Sequence, residues 1–376
     1  MAQCRAIGAG VCRMIYLDYQ ATTPLAPEAL DAMLPWLRDH HANPHSAHVA
    51  GRKARAAVEL ARDQVAALLP GGGALAFTSG ATEALNWAIK GIGGPVVTLA
   101  SEHAAVLDTV AALRSGGQEV TVLPVGADGL VDLDRARAAI VPGTKLVAAM
   151  LVNNEIGVIQ TIAALAEIAH AAGALLLCDA VQGYGRVDIP AGCDLVAVSA
   201  HKIYGPKGIG ALWVRDGVAL TPLLHGGGQE ALGRSGTLSP ALCAGFGVAA
   251  AVMAARRDAD AAQVERLWTL ATERLGPGWS INGSRDRRYH GNLNLRRDGL
   301  DVARLMSRLR DVAFSAGSAC ASGSGRASHV LRAIGLSEAQ ARSSIRLGFG
   351  RYTSEAELTD AIDRIMLAAD AQRIAA

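Results

Sequence analysis

Four short apolar runs constrain this chain more than any other feature: "PVVTLAS" (95–101), "KLVAAMLV" (145–152), "GALLLCDA" (173–180) and "DLVAVSA" (194–200). Each is brief, rich in β-branched residues or leucine, and bounded by turn residues, the pattern of a strand buried on both faces. Between them lie stretches with helical spacing, such as "QTIAALAEIAHAAG", which stops at a glycine. Strand–helix alternation of this kind predicts an α/β fold with a mostly parallel sheet covered on both faces. Ligands of such sheets bind beyond the carboxyl ends of the strands. The polar residues that follow each strand are therefore the candidates for function.

From Pro240 the pattern changes. A long Ala-rich helix, "PALCAGFGVAAAVMAARRDADAAQVERLWTLATERL", is able to link two domains. After it come "HGNLNLRR", a helix through "DVARLMSRLRDV" and the Gly/Ser-rich "SAGSACASGSG", together a smaller α+β unit. The expected division is an unstructured leader (1–13), an N-terminal segment packing on the small domain (14–25), a large domain (26–250) and a small C-terminal domain (251–376). With 51% hydrophobic and 19% charged residues, the 376-residue chain can fill two cores. A net charge of +2 leaves no electrostatic footprint for nucleic acid, and no apolar run approaches the ~20 residues of a membrane span. The six cysteines are scattered without metal-ligand spacing and read as reduced, cytoplasmic thiols.

At the strand ends, "LAFTSGATEALNWAIKG" passes through Thr78, Ser79, Gly80, Ala81 and Thr82 into a helix. Small residues at a helix start can close around an anion, although an ordinary N-cap is an equal alternative. "LLLCDAVQ" leaves Asp179 at the end of an apolar strand, where a carboxylate needs a cationic partner. "LVAVSAHKIYGPKG" puts Ser199, His201 and Lys202 at the next strand end. Of the five lysines, Lys202 alone stands where a sheet offers its reactive end, and a desolvated lysine can form a Schiff base. "SEHAAV" and "NNEIGVIQ" add His103 and Asn154. Each residue alone has a plain reading as a cap, a surface charge or a structural histidine. Together, an anion site, a buried acid and a strand-end lysine suit pyridoxal phosphate, with its phosphate, ring nitrogen and aldehyde.

These segments, with "YLDYQATTP", "GGGQE", "RSGT", "SAGSACAS" and "SSIRLGFGRYT", resemble the cysteine desulfurases of the NifS/IscS type over about residues 15–357. The resemblance implies the fold type I of class V aminotransferases, a homodimer and pyridoxal 5'-phosphate as cofactor. It makes Lys202 the residue bonded to the cofactor, Asp179 the partner of the ring nitrogen, Gln182 a neighbour of the ring hydroxyl and His103 the residue stacked on the ring. Ala81, Thr82, Ser199 and His201 match phosphate-binding positions, with Thr237 reaching in from the second subunit. Asn154 and Arg346 match the residues that hold the carboxylate of L-cysteine. Cys320 becomes the nucleophile that takes up sulfur as a persulfide for an iron–sulfur scaffold or another acceptor protein. Tyr19 and Gln20 depart from the pair of asparagines that many relatives carry.

No resident metal is expected, only transient ligation of an iron–sulfur cluster by Cys320 in a scaffold complex. His40, His41, His45 and His48 fall in a loop common to the family. A selenocysteine lyase, a class V aminotransferase and a catalytically silent scaffold partner are the alternatives. An aminotransferase has no need of a cysteine on such a loop, and intact Lys202, Asp179, His103 and Cys320 argue against silence.

Overall fold

The computed structural model describes residues 14–317 and 327–374, so the leader (1–13) and Cys320 lie outside the described residues. After β1 (Ile15–Tyr16) come helices α1 (Pro27–Arg38) and α2 (Val49–Ala66). A seven-stranded sheet is then built from β2 (Gly73–Thr78), β3 (Val96–Leu99), β4 (Val120–Leu123), β5 (Leu146–Met150), β6 (Leu175–Asp179), β7 (Leu195–Ser199) and β8 (Gly210–Arg215). Its order is β2-β8-β7-β6-β5-β3-β4. Strands β7, β6, β5, β3 and β4 run parallel, and β8 is antiparallel to both its neighbours. Helices α3 (Ala81–Ile92), α4 (Ala104–Ser115), α5 (Leu133–Ala139) and α6 (Ile162–Ala171) lie between the strands.

Burial on both faces explains the unbroken apolar runs. Val147 and Ala149 of β5, Leu176 and Cys178 of β6, and Val196 and Val198 of β7 face a core shared with α2, α6 and the start of a long helix. Their neighbours Leu146, Ala148, Leu177, Leu195 and Ala197 face the opposite core, against α3 and α4. Side chains alternate across a strand, so two covered faces leave no position for a polar residue until the strand ends.

The long helix, α7 (Pro240–Glu273), begins with Pro240 in its first turn and a cap in which Ser239 Oγ accepts from the Leu242 N–H. Its 34 residues extend about 50 Å. Cys243, Phe246 and Met253 belong to the large core, while Leu267 and Ala271 belong to a second one. That second core gathers β10 (Asn292–Arg296), α8 (Val302–Arg308), β13 (Ser344–Gly348) and α11 (Glu355–Ile374), together with Ile15 and Leu17. A four-stranded sheet, β12-β13-β10-β9, includes β9 (Ser280–Ile281) and β12 (Ser315–Ala316). Short helices α9 (His329–Ala333) and α10 (Glu338–Arg342) precede β13.

The helix read through "DVARLMSRLRDV" ends early, at Arg308. Leu309 leaves helical geometry (φ −116°, ψ 53°) so that β11 (Val312–Ala313) can pair in parallel with β1. No helix among the described residues is long and apolar enough to cross a membrane.

Candidate active site

A cavity of about 460 Å³ opens at the carboxyl ends of the parallel strands. Its lining brings together Ala81, Thr82, His103, Asn154, Asp179, Gln182, Ser199, His201, Lys202 and Arg346. Thr237 is exposed and does not line the cavity of its own chain.

The helix start is built by close approach. Gly80 caps α3 with no side-chain bond to the first turn, leaving its N–H groups to the cavity. The loop presses against β8 so tightly that a Cβ on Gly210 would lie 2.8 Å from the Gly80 backbone and 2.6 Å from Val198 O. Glu83 fixes the loop from outside, accepting from Ser79 N–H at 2.7 Å and pairing with Arg234 at 2.8 Å.

Asp179 ends β6 with 3% exposure, and one carboxylate oxygen accepts from Val181 N–H at 3.0 Å. Burial pushes its pKa up to about 6, with the Val181 bond and Lys202 pulling the other way. Lys202 leaves β7 on a single tight turn, and Nζ donates to the carbonyls of Gln20 at 2.5 Å and Ala21 at 2.7 Å. Tyr204 then adopts φ 68°, the only non-glycine positive φ among the described residues. The position is over-determined: Tyr204 N–H donates to Thr23 Oγ1 at 2.7 Å, and Arg351 stacks 4.1 Å from the ring centre. A strained backbone conformation of this kind persists where its surroundings over-determine it.

Both histidines are held below the ordinary imidazole pKa. Burial, then Lys202, lowers the pKa of His103, whose Nδ1 accepts from Ala105 N–H at 3.0 Å, so the ring proton sits on Nε2. Burial, Lys202 and Lys207 lower His201 to about 4. Arg346, 1% exposed, donates from Nη1 to Asn154 O at 3.0 Å and from Nη2 to Asp18 Oδ1 at 2.8 Å. Among the described residues, Arg346 Nε and Asn154 Oδ1 are buried without a partner. An unpartnered buried donor on β13 and an unpartnered buried acceptor in the turn after β5, both lining the same cavity, suit a polar ligand.

Sequence reasoning missed four contributors. Lys207 also lines the cavity, the backbone carbonyls of Gln20 and Ala21 receive Lys202, and Asp18 pairs with Arg346. Only "GPKG" carried a signal, a second lysine in the same strand-end loop. Backbone carbonyls leave none. No group of three or more His, Cys, Asp or Glu among the described residues could hold a metal, and His48 caps α2 by accepting from Gly51 N–H.

The donor set fits pyridoxal phosphate: an amine for its aldehyde, a buried acid for its ring nitrogen, and an open helix start for its phosphate. The class V aminotransferase family model matches residues 15–360. The cysteine desulfurase IscS of Rickettsia bellii (strain OSU 85-389) is 44% identical over 371 residues, covering 93% of this chain and 90% of that one. Its counterpart from Rickettsia rickettsii (strain Iowa) is 42% identical with the same coverage. Among solved structures, a NifS-like protein from Rickettsia africae ESF-5 superposes with a TM-score of 0.88 at 30% identity, over 95% of this chain and 100% of that one. SspA in complex with cysteine gives 0.79 at 37% identity, over 90% and 99%. The chain belongs to the class V aminotransferases and, among them, to the pyridoxal-phosphate-dependent cysteine desulfurases.

Proposed function

We propose that this enzyme converts L-cysteine to L-alanine and receives the sulfur on Cys320 as a persulfide, for delivery in the cytoplasm to iron–sulfur assembly or another acceptor protein. The observation that carries the reading is the convergence of Lys202, Asp179, the α3 start and the Arg346–Asn154 pair on one cavity.

Pyridoxal phosphate, when bound, supplies the electron sink that stabilises negative charge at the substrate Cα. Lys202 would hold its aldehyde, Asp179 its ring nitrogen and Gln182 its hydroxyl. Ala81, Thr82, Ser199 and His201 would hold its phosphate, with Thr237 from a second copy. His103 would stack on its ring.

The chain's own residues divide the remaining work. Arg346 and Asn154 clamp the substrate carboxylate, the guanidinium fork suiting two oxygens. The Lys202 amine takes the Cα proton, and His103 moves a proton from Nε2. The Cys320 thiolate forms a bond to the substrate sulfur while the Cβ–S bond breaks. The bonding pair stays on Cβ, which takes up one proton, and Lys202 returns the proton it removed to Cα, so that alanine leaves. Cys178, Cys193 and Cys243 are buried in the large core, and burial pushes Cys243 up to about 12, so these three are poor nucleophiles. A homodimer is supported by Leu30, Leu34 and Leu37, an exposed apolar stripe on one face of α1. The 26–250 and 251–376 domains are then joined through α7.

Cys320→Ser tests the reading. The variant should still change absorbance on binding L-cysteine, yet form no persulfide by mass spectrometry and release almost no alanine. Alanine and sulfide release at the wild-type rate would replace the desulfurase mechanism with a cofactor-driven elimination.

A further inference from the structure

The residues flanking 318–326 are bonded to the substrate-carboxylate cradle from both sides. On the N-terminal side, Ser315 donates its hydroxyl to Asp18 Oδ1 at 2.8 Å. The same oxygen accepts from Arg346 Nη2 at 2.8 Å, and Nη2 also reaches Ser315 Oγ at 3.3 Å. On the C-terminal side, Ser328 donates to Glu155 Oε2 and caps α9 by accepting from Leu331 N–H at 3.0 Å. Glu155 directly follows Asn154, whose carbonyl accepts from Arg346 Nη1. His329 Nε2 bonds the carbonyl of Glu102, the residue before His103, at 2.8 Å.

Acids are costly in such places. Glu155 is 1% exposed and Ser328 3%. Burial raises the Glu155 pKa, with Ser328, His329 and Arg346 opposing. An apolar residue of similar size would fill the space without desolvating a carboxyl group, so packing alone gives no reason for an acid there. Asp18 likewise spans Arg346 and Ser315, residues far apart in sequence. Each acid joins the cradle to one side of the 318–326 stretch.

We propose that Asp18 and Glu155 are positioning residues for sulfur transfer, fixing both ends of the stretch that carries Cys320 on the Arg346–Asn154 cradle. This rests on Cys320 being the sulfur acceptor. The grip on the substrate carboxylate and the two described anchors of the stretch, Ser315 and Ser328, then belong to one hydrogen-bonded frame. Transfer between two sulfurs depends on their alignment, and a misplacement of about 1 Å can cost about 100-fold in rate.

Ser315→Ala and Ser328→Ala remove the outer half of each bond and leave Asp18, Glu155, Arg346 and Asn154 in place. In the pyridoxal-phosphate-loaded protein, L-alanine binding is read by absorbance, and persulfide on Cys320 by mass spectrometry in a single turnover with L-cysteine. L-alanine affinity should stay within about twofold of wild type. Persulfide formation should slow by about tenfold in each variant and further in the double variant. Ser328→Thr, which keeps a hydroxyl at the cap, should restore the rate. The rate of Cys320 alkylation by iodoacetamide in cofactor-free protein should shift in the alanine variants and return in Ser328→Thr.

Wild-type persulfide formation in both alanine variants would overturn the proposal. So would L-alanine binding that falls in step with transfer, since the bonds would then serve the cradle alone. Ser315 caps no helix, so Ser315→Ala carries the test even where Ser328→Ala fails to fold. Failure of the Cys320 assignment reads differently, because Cys320→Ser would then keep releasing alanine.

Discussion

Asp179 shows how one buried side chain links cofactor binding to stability. In the cofactor-free protein its pKa is pushed up to about 6 by burial, so the native state keeps a proton that the unfolded chain releases at about pH 4. The stability this group contributes is present in full below the unfolded value and is lost as pH rises through about 6. The loss is on the order of 3 kcal/mol. Asp179→Asn should remove that part of the pH slope. Urea melts should find the cofactor-free variant more stable than wild type above about pH 6 and nearly equal to it near pH 4. The same variant should bind pyridoxal phosphate more weakly, having lost the carboxylate that a protonated ring nitrogen favours. Equal pH slopes in variant and wild type would remove Asp179 as their source. Asp179 was legible because a carboxylate ending an apolar strand is conspicuous. The carbonyls of Gln20 and Ala21 were not, since every residue has one and only folding selects which two meet Lys202.

Among the elements, the interior strands were the easiest to read and the strand beside them the hardest. Strands β3, β5, β6 and β7 present unbroken apolar runs because both faces are covered. Strand β8 fills the gap between β2 and β7 in the antiparallel sense, a placement with no local signature. Its first residue, Gly210, is nonetheless where the Gly80 turn, proposed to hold the phosphate, takes its shape. Gly210→Ala should push the Gly80 loop away from β8, because the added Cβ would meet backbone atoms at 2.6–2.8 Å. The expected cost is about 1–3 kcal/mol in thermal melts. Pyridoxal phosphate affinity should fall about tenfold, since the helix start must keep its distance from the phosphate. Unchanged melting and affinity would mean that the turn does not depend on that approach. Helix α8 teaches the same lesson in reverse: its periodic pattern runs on past Arg308, but the chain must turn there for β11 to reach β1.

At the scale of the whole molecule, the two cores share α7 and are closed by the N-terminal segment. Arg351 reinforces the junction, pairing with Asp260 of α7 at 2.6 Å while stacking on Tyr204. The sequence indicated the long helix, the smaller unit beyond it and an N-terminal segment packing on that unit, where Ile15 and Leu17 are buried among residues near the other end of the chain. That closure has a consequence in time. Ile15 N–H bonds Asp311 O at 2.9 Å and Leu17 N–H bonds Ala313 O at 2.7 Å, so the first strand synthesised pairs with one synthesised near the end. Bringing such distant segments together carries the entropy of closing a very long loop, which places the step late in folding. Pulse-labelling hydrogen exchange during refolding should find the amides of Val147 and Leu176 protected before those of Ile15 and Leu17, and simultaneous protection would refute this order. The backbone that receives Lys202 arrives with the late segment. Seating of Lys202 thereby depends on a late event: a ribosomal product cut short before β11 would carry Lys202, Gln20 and Ala21 but lack the strand that pairs with β1 and holds those carbonyls in place.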